Sequence, residues 1–384
     1  MYCGIDLHAR TLDSCILNQD GEIVVHRHIP TSPEALLKTL APSREQLVIA
    51  VAGLFPWYGL ADLCARDGLP CVVGHALSRH ALPGGQATND TIDAQTSAVL
   101  LRGGMLPQAS VSPAQRRATR DLRRRRRHRM RKRAALLTQV PQPNSQDHVP
   151  EIGQKLTEQA NRAGIAARFP APAVQKRVAG DLALMAYYAR LLRDLALTLL
   201  QTAKQHDAQR LSRRQSVPGI GKILSWVWLY EMHDITRVPR GQDVVAYCRL
   251  VTGAQASAGH RSGTSGAQIG NASLQWACSE AAVLLLRHNP LGQKYLARLE
   301  HTHGKGNALP IVAHTLARAV YDLLQRETGV DMPKCLHGSW SGAGEPHATL
   351  DTHGHSLGCG ALLRKRRQST RRSTEAREPR ALGL

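Results

Sequence analysis

The chain has 384 residues, enough for two or three domains with sizeable cores. Lys and Arg total 50 against 29 Asp and Glu, a formal charge of +21; charge of that size repels itself in isolation and calls for a polyanionic partner, of which nucleic acid is the simplest. No apolar run approaches the roughly 18 residues of a membrane span, and the opening Met1-Tyr2-Cys3-Gly4-Ile5-Asp6 lacks the basic and apolar regions of a signal peptide. A cytoplasmic protein without a membrane partner is expected.

The first hundred residues read as α/β. Tyr2–Leu7 and Ser14–Asn18 are predicted strands, Asp20-Gly21 is a hairpin turn, and Ile23–Ile29 is a third strand. Ser32-Pro33 opens a helix with Ser at the N-cap and Pro at N1. Leu47–Val51 is a buried fourth strand, Trp57–Arg66 a helix, and Pro70–Val73 a fifth strand. The order βββαβα is that of the ribonuclease-H-like, or RuvC-like, fold.

Pro113 starts a long basic helix that ends near Val140-Pro141-Gln142-Pro143, and a polar stretch reaches about residue 170. A second long helix is predicted over Pro172–Leu211. Its apolar positions Leu182, Met185, Ala189, Leu192, Ala196, Leu199 and Ala203 alternate spacings of three and four. That is a coiled-coil seam, open either to packing within the monomer or to a partner helix. Val217-Pro218-Gly219-Ile220-Gly221 opens a mostly α-helical region with helices at Lys222–Met232, Leu274–Arg287 and Leu309–Gln325 and a Gly/Ser-rich stretch among them. The expected domains are 1–142, 143–211 (linker and coiled coil), 212–332 and a basic, disordered tail, 333–384. The eight cysteines include no C-x-x-C pair and read as buried hydrophobes. The tail cluster Cys335, His337, His353, His355 and Cys359 matches no common zinc spacing.

Asp6 lies on the first strand, while Asp90 and Asp93, three apart, share one face of a later helix. Hard carboxylate oxygens so arranged suit a Mg²⁺ site that acts on phosphate. Capping by Asp90 and simple solvation of Asp93 are the plainer alternatives. The basic helix carries Arg120, Arg123, Arg124, Arg125, Arg126, Arg127, Arg131 and Lys132. Five consecutive arginines cover every side of a helix, so nucleic-acid contact is expected, through phosphates and without sequence readout. Gly219 and Gly221 fit either a hairpin whose backbone N–H groups approach a phosphate or a short turn between helices.

Gly4-Ile5-Asp6-Leu7-His8, Trp57-Tyr58, Gly74-His75-Ala76, Asn89-Asp90-Thr91-Ile92-Asp93 and Leu100-Leu101-Arg102-Gly103-Gly104-Met105-Leu106-Pro107 resemble the DEDD-type insertion-sequence transposases of the family numbered one hundred and ten. So do Pro218-Gly219-Ile220-Gly221, Tyr247-Cys248-Arg249-Leu250-Val251, Ser257-Ala258-Gly259, Gly263-Thr264-Ser265-Gly266, Ile269-Gly270-Asn271, Gln293-Lys294-Tyr295-Leu296 and His303-Gly304-Lys305-Gly306. The resemblance runs in order over about residues 1–335. It implies a recombinase guided by a structured bridge RNA, acting on donor and target DNA as a dimer or tetramer in the bacterial cytoplasm at the nucleoid. It further implies four acidic Mg²⁺ ligands, an N-terminal RuvC-like domain, a coiled coil and a C-terminal domain with a serine nucleophile. Carried over, the acids are Asp6, Asp90 and Asp93. The fourth, a Glu at the end of the fourth strand, falls on Ala52, which cannot bind a metal. Glu45 is about 23 Å of extended chain away and cannot replace it. Ser257 matches the nucleophilic serine, with Ser262 and Ser265 as fallbacks, and would join the acids in one composite site. Ala256 and His260 depart from the family's usual neighbours. A weakened or inactive copy that only binds nucleic acid is therefore the alternative. A junction nuclease using activated water is a third reading.

Overall fold

The computed structural model describes residues 1–52, 57–74, 89–109, 111–146, 148–153, 155–251, 253–257, 260–265, 269–326 and 331–337. The chain divides into two compact units, Met1–Ala118 and Thr119–Leu384. The motif residues His75, Ala76, Ala258, Gly259 and Gly266, and the tail beyond 337 with its His353, His355 and Cys359, lie outside the described residues.

The first unit is an α/β layer. Strands β1 (Tyr2–Leu7), β2 (Thr11–Leu17) and β3 (Ile23–Pro30) form an antiparallel meander. Helix α1 (Pro33–Leu40) follows, with the Ser32 hydroxyl accepting the Ala35 N–H at 3.1 Å and Pro at its start. Strand β4 (Val48–Ala52) returns parallel to β1, helix α2 (Trp57–Arg66) crosses over, and β5 (Cys71–Gly74) pairs parallel to β4. The sheet is mixed, in the order β3-β2-β1-β4-β5. β2 begins three residues before the expected Ser14. The ladder to β1 takes in Leu12 and Asp13, although Asp is depleted in strands and gives no propensity signal.

β1 is covered on both faces, so it shows continuous burial rather than alternation. Cys3, Ile5 and Leu7 pack with Leu36 and Leu40 of α1 and Leu60 and Leu63 of α2. The other face receives helix α3 (Asp90–Arg102), whose Ala94 and Ala98 pack with Cys15 and Leu17. Gly4 permits this approach: a Cβ there would lie 2.0 Å from the Ala94 carbonyl oxygen and 2.5 Å from the Ala98 nitrogen.

The second unit is mostly helical. The division between the two units falls inside helix α4 (Ala114–Gln139). A short α5 (Gln142–Gln146) precedes the long helix α6 (Pro172–Gln215). α6 runs past Leu211 and is interrupted at Asp207, whose backbone is extended. The seam of α6 is covered by its own chain at both ends. Met185 packs with Val140, Phe169 and Val178, and Leu199 and Ala203 pack with Trp226 and Tyr230.

Helices α7 (Lys222–Met232), α8 (Gly241–Tyr247), α9 (Ala272–His288), α10 (Pro290–His303) and α11 (Lys305–Arg326) surround the largest core. α12 (Met332–His337) adds Met332, Cys335 and Leu336 to it. The first residues of the expected tail thus form a packed helix: Met332 and, one turn later, Cys335 and Leu336 find a core, and composition alone did not reveal it. The Gly/Ser-rich stretch forms a two-stranded ribbon, β6 (Gly253–Ser257) and β7 (His260–Ser265). Among the described residues, no helix is long and apolar enough to cross a membrane.

Candidate metal centre and nucleic-acid contacts

Asp6 sits near the C-terminal end of the central strand and is 3% exposed. With Gly4 two residues earlier, its side chain belongs to the face that α3 covers. Asn89 caps α3, its side-chain oxygen accepting the Ile92 N–H at 2.8 Å. Asp90 is therefore not the cap. It is the first helical residue, half exposed, and leans toward the sheet. His8 links the two: its Nε2 lies 3.1 Å from Asp6 Oδ2 and 3.3 Å from Asp90 Oδ1. One ligand atom from each of Asp6, His8 and Asp90 falls within 4.8 Å of the others. Asp93, one turn along α3 and half-buried, is not in that group.

Partial desolvation disfavours charge on His8, but its hydrogen bond to Asp6 and the Asp90 carboxylate outweigh this and raise its pKa. Two carboxylates and an imidazole in such proximity fit a divalent cation: the oxygens suit a hard ion, and the nitrogen broadens the choice toward transition metals.

The row of residues across the sheet explains the rest of the site. His28 pairs with Asp13, and Asp13 pairs with Asp6. On the other side, the pairing of β1 with β4 ends at Ile5 and Val51, the residues just before Asp6 and Ala52. Ala52 in turn pairs with Gly74. The position carrying no acid is thus the last residue of the strand that pairs with the Asp6 strand. Asp13, on Asp6's other flank, is a carboxylate that sequence reasoning missed. It is 3% exposed, accepts a hydrogen bond from Thr91 Oγ1 at 3.3 Å and lies 2.8 Å from His28 Nδ1. It ties the first turn of α3 to the sheet beside Asp6. His8 was also missed as a site residue, although its spacing of two from Asp6 was the available signal.

Ser257 is the last residue of β6 and pairs with His260 across the ribbon. It belongs to the second unit and the acids to the first. Ser262 and Ser265 lie on β7.

The arginine helix does not present its whole length to solvent. Arg123 is 3% exposed and pairs with Glu231 of α7, and Arg124 reaches the same carboxylate at 2.6 Å. Asn271 also donates to Glu231, at 2.8 Å. Burial works against the Glu231 charge, but the hydrogen bond from Arg124 and the charges of Arg123 and Arg124 hold its pKa down at about 2. Arg120 is 8% exposed, and Arg127 stacks on the Trp276 ring at 4.3 Å. Arg123 and Arg120 are therefore interior groups, because a packed helix turns one side inward whatever its composition. Arg124, Arg125, Arg131 and Lys132 remain exposed, and Arg126 is half-buried. The lone acid Glu231 in an apolar helix was the signal for a buried partner.

Gly219 has φ 88°, and a Cβ there would lie 2.3 Å from the Ala281 carbonyl oxygen, so close packing against α9 accounts for it. Gly221 is the N-cap residue of α7, with open space beside it.

No curated protein shows significant similarity to the chain. Residues 3–142 match the DEDD transposase model of the IS110 type. Residues 211–297 match the model described as Transposase IS116/IS110/IS902 family. Two domains of one family thus match in chain order, over more than half the chain between them, and the protein belongs to the IS110-type transposases.

Proposed function

We propose that this transposase cuts and exchanges DNA strands through a covalent intermediate on Ser257, with Mg²⁺ held at the acidic centre and a structured bridge RNA choosing donor and target DNA. The observation that carries the metal part is the convergence of Asp6, His8 and Asp90 from the two ends of an 84-residue separation in sequence. The mixed five-stranded order, with an acid on the central strand and another at the start of the covering helix, supports the RuvC-like reading.

Asp6 and Asp90 would hold the cation, with Asp93, one turn along α3, as the third acid. A bound divalent ion would supply charge neutralisation at the scissile phosphate. The Ser257 hydroxyl would attack phosphorus, form a phosphoseryl bond and release a hydroxyl-ended strand, with the serine proton passing to the leaving oxygen. The chain would act on DNA as a dimer or tetramer. Arg125, Arg131 and Lys132 would contact phosphates from the exposed side of α4.

A second reading is favoured by Ala52. Its place at the end of β4, the strand paired with β1, is where the fourth acid is expected, so a copy that binds nucleic acid but cleaves weakly or not at all is the alternative. The test is a covalent-adduct assay with cognate donor DNA, flanking-element RNA and Mg²⁺, run on the unmodified protein, Ser257→Ala and Ala52→Glu. An adduct lost only in Ser257→Ala supports an active serine recombinase. An adduct seen only with Ala52→Glu identifies a latent enzyme. Cleavage without adduct that survives Ser257→Ala would point to a nuclease using activated water.

A further inference from the structure

Within the second unit, α4, α7 and α9 enclose a cleft lined by Arg123, Arg126 and Arg127, by Trp226 and Val227, and by Trp276. Its donors exceed its acceptors. Among the described residues, the Nε groups of Arg123, Arg126 and Arg127 and the indole N–H of Trp226 are buried with no hydrogen-bond partner. Trp226 is 2% exposed, so its N–H cannot turn to bulk water. Glu231 already serves Arg123, Arg124 and Asn271. Three guanidinium groups line the cleft, and Glu231, the carboxylate paired with Arg123, is already engaged.

A buried donor left unsatisfied costs about 1–3 kcal/mol, and several in one place make an arrangement that an anion completes. Burial alone pushes Arg126 down, and burial with the charges of Arg131 and Arg123 brings Arg127 to about 10. Both cations are thus held where their charge is disfavoured until an anion arrives. The Trp276 ring fixes the Arg127 guanidinium plane from one side and leaves its edge for a ligand. Guanidinium forks match the tetrahedral oxygens of phosphate.

We propose that this cleft is a phosphate-binding site, in which Arg126, Arg127 and the Trp226 N–H receive a single phosphate group of bound DNA. The site follows from its own donors. Only the source of the phosphate rests on the reading of the chain as a DNA-acting transposase, and free phosphate would make the same contacts.

The full chain would be titrated with sodium phosphate at constant ionic strength set by sodium chloride, following tryptophan fluorescence. In parallel, binding of a duplex DNA oligonucleotide would be followed by anisotropy across a salt series. The variants are Arg126→Gln/Arg127→Gln and, should that pair fail to fold, Arg127→Lys, which keeps the charge and loses the fork. A saturable phosphate response weakened about tenfold in the variant is expected. So is DNA affinity reduced about tenfold, with a log–log salt slope smaller by about 1 to 2. A DNA effect without a free-phosphate response assigns the site to the DNA backbone. A free-phosphate response in a chain that binds no DNA keeps the site and removes the DNA reading. No phosphate response together with unchanged DNA affinity and slope in the variant overturns the proposal, as does a phosphate response equal in variant and parent.

Discussion

The acidic centre depends on single carboxylates whose surroundings give each a different task. Asp6 is buried and Asp90 half exposed, and replacing either by Asn removes one charge from the proposed cation site. Asp6→Asn and Asp90→Asn are each expected to weaken Mn²⁺ binding at least about tenfold, in line with loss of a ligating group or its support; calorimetric titration of the metal measures it. Asp13→Ala should act through α3 rather than on the ion directly. It removes the acceptor of Thr91 and is expected to lower metal affinity less than Asp6→Asn does, while Asp13→Asn, which still accepts from Thr91, recovers most of the loss. Glu231 is the other decisive carboxylate. Its pKa of about 2 lies below the unfolded value of 4.5, so its stabilisation is complete above about pH 4.5 and is lost as pH falls toward 2. The shift corresponds to on the order of 3 kcal/mol. Denaturant melts at pH 6 and pH 3 should show Glu231→Gln much less stable than the parent at pH 6, with the gap cut to about half or less at pH 3.

At the scale of elements, the site exists because α3 lies directly on β1. Gly4→Ala would place a methyl group on the α3 backbone, which cannot yield as a side-chain tip would. Overpacking of this kind costs about 1–3 kcal/mol. A lowered melting temperature together with weakened Mn²⁺ binding is expected, since lifting α3 moves Asp90 away from Asp6. A lowered melting temperature with unaltered metal affinity would show that α3 does not set the ligand geometry. α4 illustrates the reverse case. Its run of arginines carries no apolar stripe, yet Arg123 goes inward because α7 supplies Glu231 and α9 supplies Asn271 and Trp276. A charged helix thus becomes a core helix by ion pairing and stacking instead of by apolar burial.

For the molecule as a whole, the charge of +21 governs how it meets other macromolecules. Affinity for duplex DNA is expected to fall linearly with log salt with a slope near −0.9 per phosphate neutralised. Charge-to-Gln changes at exposed Arg125, Arg131 and Lys132 together should reduce that slope by about 3. Arg123→Gln should instead lower stability, leaving Glu231 with less of its compensation. Slopes from anisotropy and melts by circular dichroism separate the two classes, and an Arg123→Gln variant that melts like the parent would remove the interior assignment.

Much of this was legible in the sequence. Short apolar runs, Asp20-Gly21 and Ser32-Pro33 marked the first three strands and α1 because those signals are local. The order of motifs carried the family, and charge carried the polyanionic partner. Asp6 and the Asp90–Asp93 pair were legible as candidates by residue type and spacing. Only the tertiary structure could bring Asp90 to Asp6 and leave Asp93 aside, since that choice depends on how Gly4 seats α3. It alone drew Asp13 into the row beside Asp6, turned Arg123 inward, and packed α12 into the core. Local chemistry fixes which elements form. Which side chains meet is decided by contacts between residues far apart in the chain, where burial and charge compensation outweigh the preferences of any one segment.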